Sequence, residues 1–188
     1  MNSIRLNADR LTLRDFTITD LSAVHEYASS EAVVLHQTWG PNSLEDTRNF
    51  LASCNAEAQA VMRKNFNLAV VLNEGTLIGG SLAAIRDDGN EAEIGCSFNP
   101  RYWGRGYATE ALSRLMTFLF DVQSVRRIYA TCGPENTASI RLLERVGMNL
   151  EGRLRSHKLV RGTWRDSLIW SLLNDDPRER MGQRREEK

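Results

Sequence analysis

Two glycines alternating with arginines, Arg101, Gly104, Arg105 and Gly106, hold the spacing with the clearest chemistry in this chain. They follow a strand-like run, Glu91 to Phe98, and precede a helix-like run that opens at Gly106 to Thr109. A helix start exposes unpaired N–H groups and the positive end of its dipole. Glycines there let an anion approach the backbone, and the two arginines add charge, so the stretch is a candidate phosphate site. A plain turn joining strand to helix is the competing reading of the glycines.

Those residues need a strand before them and a helix after them. Ala92, Ile94, Cys96 and Phe98 alternate with Glu93, Gly95 and Ser97, the period of a strand with two different faces. Asn99-Pro100 ends it, because proline cannot donate to a ladder. Ala111, Leu112, Leu115, Met116, Leu119 and Phe120 recur at helical spacing. Upstream, Ile4 to Leu13 predicts an opening strand bent around Asn7 to Arg10. Asp20 is placed to cap a helix bearing Leu21, Val24, Tyr27 and Ala28, and Ser43 with Asp46 predicts a capping box. Glu31 to Pro41 reads as irregular. Phe66 to Leu72 and Thr76 to Ile85 read as strands, making with Glu91 to Phe98 an antiparallel meander.

Downstream, Arg127 to Cys132 is a strand ended by Gly133-Pro134. Asn136 can cap a helix that Gly147 ends. Leu150 to Val160 and Asp166 to Leu173 are strands joined across Arg161-Gly162. The strand order makes Glu91 to Phe98 parallel to Arg127 to Cys132, which gives a mixed sheet. The expectation is a single α+β domain, residues 1–173, with a polar tail, 174–188, carrying five charges of each sign.

The 188 residues carry no formal net charge, with 24 Lys+Arg against 24 Asp+Glu, so nothing global points to nucleic acid or a membrane surface. No apolar run approaches the roughly 20 residues of a membrane span, and the first residues lack a signal core. Cys54, Cys96 and Cys132 are far apart and lack metal-ligand spacing, as do His25, His36 and His157, so no metal is expected and a reduced, cytoplasmic setting is. Residues 141 to 165 stand out. They hold seven basic side chains against Glu144 and Glu151. A phosphate, an acidic acceptor, or merely a solvated charged face would each account for them.

Taken together, the chain resembles the GNAT N-acetyltransferase superfamily, in its branch of ribosomal-protein alanine acetyltransferases (RimJ/RimL-like). The likeness rests on Arg10 to Arg14, Glu93-Ile94-Gly95, Pro100 to Leu112, Asn136 to Ser139 with Gly147-Met148, Glu151-Gly152 and Gly162 to Asp166, in that order. The family's pyrophosphate pattern, Gln/Arg-x-x-Gly-x-Gly/Ala, fits Trp103 to Ala108 with tryptophan in the first place. A second frame begins at Arg101.

The resemblance implies an α+β GNAT fold, with a mixed, mostly antiparallel central sheet splayed at the cofactor site and flanked by helices. It implies acetyl-CoA as co-substrate and, as acceptor, first a protein N-terminal amine of the ribosomal-protein kind, with a small amine such as a polyamine, amino acid or antibiotic as the alternative. It leaves monomer and homodimer open. Cofactor contacts fall by resemblance on Phe98, Asn99, Arg101, Trp103, Gly104, Arg105, Gly106, Tyr107, Ala108, Thr109, Asn136 and Arg141. A β-bulge at Asn99-Pro100 would free backbone groups for the pantetheine arm. Asn136 can serve as cap and ligand at once.

For amine attack on a thioester, Glu93 is the candidate base and Ser139 the candidate contact to the leaving thiolate. A structural carboxylate and an ordinary helix-start serine are the competing readings. His36, Trp39 and Trp164 are candidates for the acceptor pocket, with core packing as the alternative. Where the branch carries an acidic residue that can act as base, this sequence places Lys158. A Rossmann oxidoreductase is disfavoured because the third glycine is missing, and a P-loop because no Gly-Lys-Ser/Thr occurs. A non-catalytic acetyl-CoA-binding module is the rival from another class.

Overall fold

Alternating and continuous apolar runs become eight strands in one sheet. In the computed structural model, which describes residues 3–86 and 88–177, the strands are β1 (Arg5–Asn7), β2 (Leu11–Asp15), β3 (Asn65–Leu72), β4 (Leu77–Ile85), β5 (Glu91–Phe98), β6 (Arg127–Cys132), β7 (Asn149–Val160) and β8 (Thr163–Leu173). The helices are α1 (Leu21–Ala28), α2 (Glu31–Val34), α3 (Leu44–Ala58), α4 (Tyr107–Asp121) and α5 (Thr137–Arg145). The sheet order is β1-β2-β3-β4-β5-β6-β8-β7. All neighbours are antiparallel except β5 and β6, so the expected mixed α+β sheet is present. Of the polar tail, residues 178–188 lie outside the described residues. Among the described residues no helix is long and apolar enough to cross a membrane.

Helices cover both faces. Ala111, Leu112, Leu115, Met116 and Leu119 form the buried stripe of α4 against Leu11, Leu13, Leu68, Ile78 and Ile94. Leu143 of α5 joins that core. Across the sheet, Val24, Tyr27, Val34 and Leu51 pack on Phe16, Ala69 and Val71. Burial of these stripes is what holds each helix on the sheet.

Several local expectations change. The bent opening strand is two strands, a hairpin with Leu6 opposite Leu13. Glu31 to Pro41 contains the short helix α2. Asp20 does not cap α1 with its side chain; its carboxylate accepts from Arg14 Nη1 at 2.8 Å and Nη2 at 2.7 Å, and from the Thr17 N–H at 2.8 Å. The Ser43–Asp46 capping box forms as read. β8 starts at Thr163 rather than Asp166, because Arg161 and Gly162 both take positive φ (50° and 76°), the demand of a two-residue turn that lets the ladder run to Val160 and Thr163.

β7 carries two irregularities. Glu151 is extra between Leu150 and Gly152. Its carboxylate accepts from Arg127 Nη1 at 2.7 Å, also from Arg127 Nη2, and from Ser171 Oγ at 2.6 Å. The Arg127 guanidinium holds the Glu151 carboxyl down at about 2, below its usual 4.5. A lowered folded value means the contribution is complete above the unfolded value of 4.5 and lost as pH falls toward 2. Glu151→Gln is therefore expected to flatten the stability–pH slope between about pH 4.5 and 2 and to lower stability at pH 7 by the same amount, kept modest by solvent screening of the pair, as measured by urea unfolding across that window and at pH 7.

Candidate active site

The site begins where β5 and β6 part. Their parallel pairing covers only Glu91 with Arg127, Ala92 with Ile128 and Glu93 with Tyr129. Beyond that point β5 continues with β4 as far as Phe98 and Gly79, and β6 continues with β8 as far as Cys132 and Leu168. Each strand keeps its outer partner and loses the inner one, so a wedge opens in the sheet. A cavity of about 810 Å³ fills it and reaches both faces. Leu112, Asn136, Ser139 and Leu142 line it on the α4–α5 side, and Phe16, Tyr27, His36, Trp39 and Phe50 on the α1–α3 side.

The wedge exposes backbone. Arg86 N donates to Glu91 O and Asn99 N to Ile78 O, so odd-numbered β5 residues direct their polar groups to β4. By alternation, Ile94, Cys96 and Phe98 direct theirs toward the gap. The Phe98 carbonyl is already taken, accepting from Trp103 Nε1 at 2.8 Å. This corrects one expectation. No bulge interrupts the β4–β5 register; a 3-10 turn, Pro100–Tyr102, ends the strand instead. Asn99 is buried and caps that turn, its Oδ1 accepting from Arg101 N at 3.1 Å. The proline forces the helical turn because its fixed φ suits a first helical position and not a ladder. The backbone groups that face the gap therefore belong to Ile94, Cys96 and the Phe98 N–H, whereas Asn99 N donates to Ile78 O and Asn99 O accepts from Tyr102 N.

The glycine turn sits at the N-terminus of α4. Gly104 and Gly106 take φ of 74° and 78°, the left-handed region that side chains resist. Gly106 is the N-cap, so Tyr107, Ala108 and Thr109 carry the first-turn N–H groups, and Glu110 N is the first to close back, onto Gly106 O at 3.1 Å. In the frame from Trp103 to Ala108, the two small positions are thus the cap and the second helical residue.

The charge around the turn is arranged differently from the reading of its letters. Arg101 pairs with Glu26 at 3.0 Å, and Arg105 lies over the Tyr102 ring, its Cζ 5.8 Å from the centroid. Arg10, missed from sequence, does the fixing. Its Nη1 donates to Arg105 O at 3.1 Å and its Nε to Glu110 at 2.7 Å, its own N–H donates to Glu110 at 2.7 Å, and its guanidinium covers the Tyr107 ring at 4.6 Å. Nothing in the spacing announces this, since the partners are about a hundred residues apart.

Asn136 caps α5, its Oδ1 accepting from Ser139 N at 3.1 Å, which leaves its Nδ2 donors for a ligand. Arg141 is exposed on α5 and lies outside the cavity. Trp164, 62% exposed beside the hairpin turn, also lies outside it; its register partner is Leu159, at the tip. His36 and Trp39 line the cavity. Among the described residues no cluster of three or more His, Cys, Asp and Glu side chains is positioned to hold a metal.

Glu93 faces the cavity at the apex of the wedge. Tyr129 donates to its Oε2 at 3.4 Å, Arg86 Nη2 stands 3.4 Å from the same oxygen and also donates to the Tyr129 hydroxyl, and Lys158 Nζ is 3.8 Å from its Oε1. Lys158 also donates to Thr131 Oγ1 at 2.7 Å. Tyr129 was legible in principle, since a parallel partner of Glu93 must share its face. Burial pushes the Cys96 thiol up to about 12 and raises that of Cys132, so neither is a ready nucleophile.

A paired-donor helix start, an exposed strand edge and an asparagine amide fit an extended ligand with phosphates at one end, and acetyl-CoA has that form. Comparison with known proteins agrees. The family model of the acetyltransferase (GNAT) domain matches residues 10–149. The N-acetyltransferase YnaD of Bacillus subtilis (strain 168), uncharacterized by its name, is 29% identical over 177 residues, 92% of this chain and 99% of its own. The ribosomal protein uS5-alanine N-acetyltransferase of Escherichia coli (strain K12) is 30% identical over 92 residues, 49% of this chain and 47% of its own. A solved acetyltransferase (GNAT family) from Bacillus anthracis is 34% identical with a TM-score of 0.83, over 92% of this chain and 100% of its own. With its splayed mixed sheet and the matched domain, this chain belongs to the GNAT acetyltransferase family and is an N-acetyltransferase.

Proposed function

We propose that the protein transfers the acetyl group of acetyl-CoA to a small primary amine by direct attack within a ternary complex. The observation that carries this is the cavity running through the parted strands, lined by Asn136 and Ser139 on the α4–α5 face and open to Glu93 on the other. Acetyl-CoA supplies the activated thioester. Tyr107, Ala108 and Thr109 offer N–H groups to its phosphates, and the β5 edge and Asn136 offer donors and acceptors to its arm. Glu93 accepts the proton that the amine gives up, and Ser139 stands on the cofactor side as the hydroxyl nearest in role to a leaving thiolate. The raised Cys96 and Cys132 thiols argue against a covalent relay.

The walls support a small acceptor. The hairpin β7–β8 is tied to α2 by Arg161 Nη2 on Glu31 at 2.8 Å, and the loop through His36 and Trp39 closes another side. A small amine fits such a chamber whole. The second reading, a protein N-terminus inserted end-on, draws on the likeness to the uS5-alanine enzyme.

The test is thiol release from acetyl-CoA against amino acids, polyamines, aminoglycosides and peptides beginning with alanine or serine. Turnover of small amines at rates above those of the peptides is the expected result. Turnover of peptides alone would give the site to the second reading, and failure to bind acetyl-CoA would defeat both.

A further inference from the structure

The charged groups on the acceptor face are unevenly partnered. Lys158 and Arg165 are register partners across β7 and β8, so they stand side by side on one face, and both line the cavity. Lys158 holds Thr131 and stands 3.8 Å from Glu93. The Arg165 guanidinium makes no ion pair or hydrogen bond with any described residue. The acids that share this cavity are already occupied. Asp166 accepts from Arg153 Nε at 2.7 Å and Ser156 N at 2.8 Å, Asp46 holds Ser43, and Glu93 has Arg86 and Tyr129. Glu135 is exposed.

A carboxylate beside an ammonium, with a second cation behind, is the reverse image of a zwitterion whose amine and carboxylate sit on one carbon. The same cavity is lined on its α1–α3 side by aromatic rings, with Phe16 and Phe50 in edge-to-face contact at 5.5 Å and Tyr27 also in the lining. Such a wall takes an apolar side chain. A polyamine would place its second cation against Lys158 and Arg165, which is repulsive.

Resting on the acetyltransferase reading above, we propose that the acceptor is a free α-amino acid with an apolar or aromatic side chain. Its amine faces Glu93 and its carboxylate is seated by Lys158 and Arg165. The register pair is then an anion subsite that selects the substrate, and it explains why a lysine stands at position 158.

Matched acceptors test this. Phenylalanine, leucine and alanine are each compared with their carboxamides and with the decarboxylated amines, by thiol release at saturating acetyl-CoA. The free acids are expected to exceed both analogues in kcat/KM by about ten- to a hundredfold, the range of one or two charge-assisted contacts. Lys158→Met and Arg165→Met are expected to erase that preference, chiefly through KM, with acetyl-CoA affinity unchanged. The proposal is overturned if amides or decarboxylated amines match the acids, if both variants keep the preference, or if only another amine class is acetylated. Loss of acetyl-CoA binding in the unaltered protein would instead bring down the acetyltransferase reading itself.

Discussion

Gly106→Val is expected to weaken acetyl-CoA binding by at least about a hundredfold in a protein that still folds. The residue is the N-cap of α4 at φ of 78°, where a side chain costs about 1–2 kcal/mol and a β-branched one more. A Cβ there would also stand 3.4 Å from Arg10 Nη2, on the guanidinium that holds Arg105 O. The easiest relief is for residue 106 to leave the left-handed region, which turns the N–H groups of Tyr107 and Ala108 away from a bound phosphate. Two charge-assisted hydrogen bonds of about 1.5–3 kcal/mol each exceed the hundredfold stated. Gly75→Val is the control, since Gly75 takes φ of 98° in the β3–β4 turn and a Cβ there would meet nothing within 4 Å. Both variants should lose thermal stability to similar degrees, and only the first should lose acetyl-CoA in titration calorimetry. Equal affinities in the two would remove the turn from the cofactor site.

Glu93→Gln is expected to lower kcat by about a hundred- to ten-thousandfold, the usual contribution of general acid–base catalysis. The amide keeps the shape of the carboxylate and can still accept from Tyr129, so the strand apex should stay as it is. The Kd for acetyl-CoA should not move, because the cofactor elements lie on the other face. A kcat within a few-fold of the parent would mean that Glu93 only anchors Arg86 and Tyr129. Tyr129→Phe separates the alternatives further. It removes the hydroxyl that joins Arg86 to Glu93 while leaving the carboxylate, so a positioning role shows as a smaller loss with a changed pH profile.

The fold was legible because its signals are local. Alternation in β5, the α4 stripe from Ala111 to Leu119 and the Ser43–Asp46 box each depend on residues a few positions apart, and each formed as read. The parting of β5 and β6 followed from family likeness, not from pattern. Pairing stops after Glu93 and Tyr129 although both strands go on, and no spacing rule says where a ladder stops. Asn99 shows the same limit. Its sequence context signals a strand end correctly, yet the choice between a bulge and a 3-10 turn was settled by Pro100 and by the Trp103 indole reaching Phe98 O. Arg141 and Trp164 fall outside the cavity lining for a related reason. A basic or aromatic residue near the right element satisfies a motif, but helix phase and hairpin register decide whether it meets the cavity.

The tie between Arg10 and the glycine turn has a thermodynamic meaning. A peptide running from β5 through α4 would carry every letter of the phosphate motif and still lack the group that fixes it, because Arg10 sits between β1 and β2 at the far edge of the sheet. Bringing together groups so far apart in sequence carries a loop-closure entropy cost that the isolated peptide could not meet with this contact. Ligand that binds only the closed form adds about 2.7 kcal/mol of stability at a hundred times its Kd. Acetyl-CoA is therefore expected to report on finished folding: amide protons of the first hairpin should exchange more slowly with deuterium when it is bound.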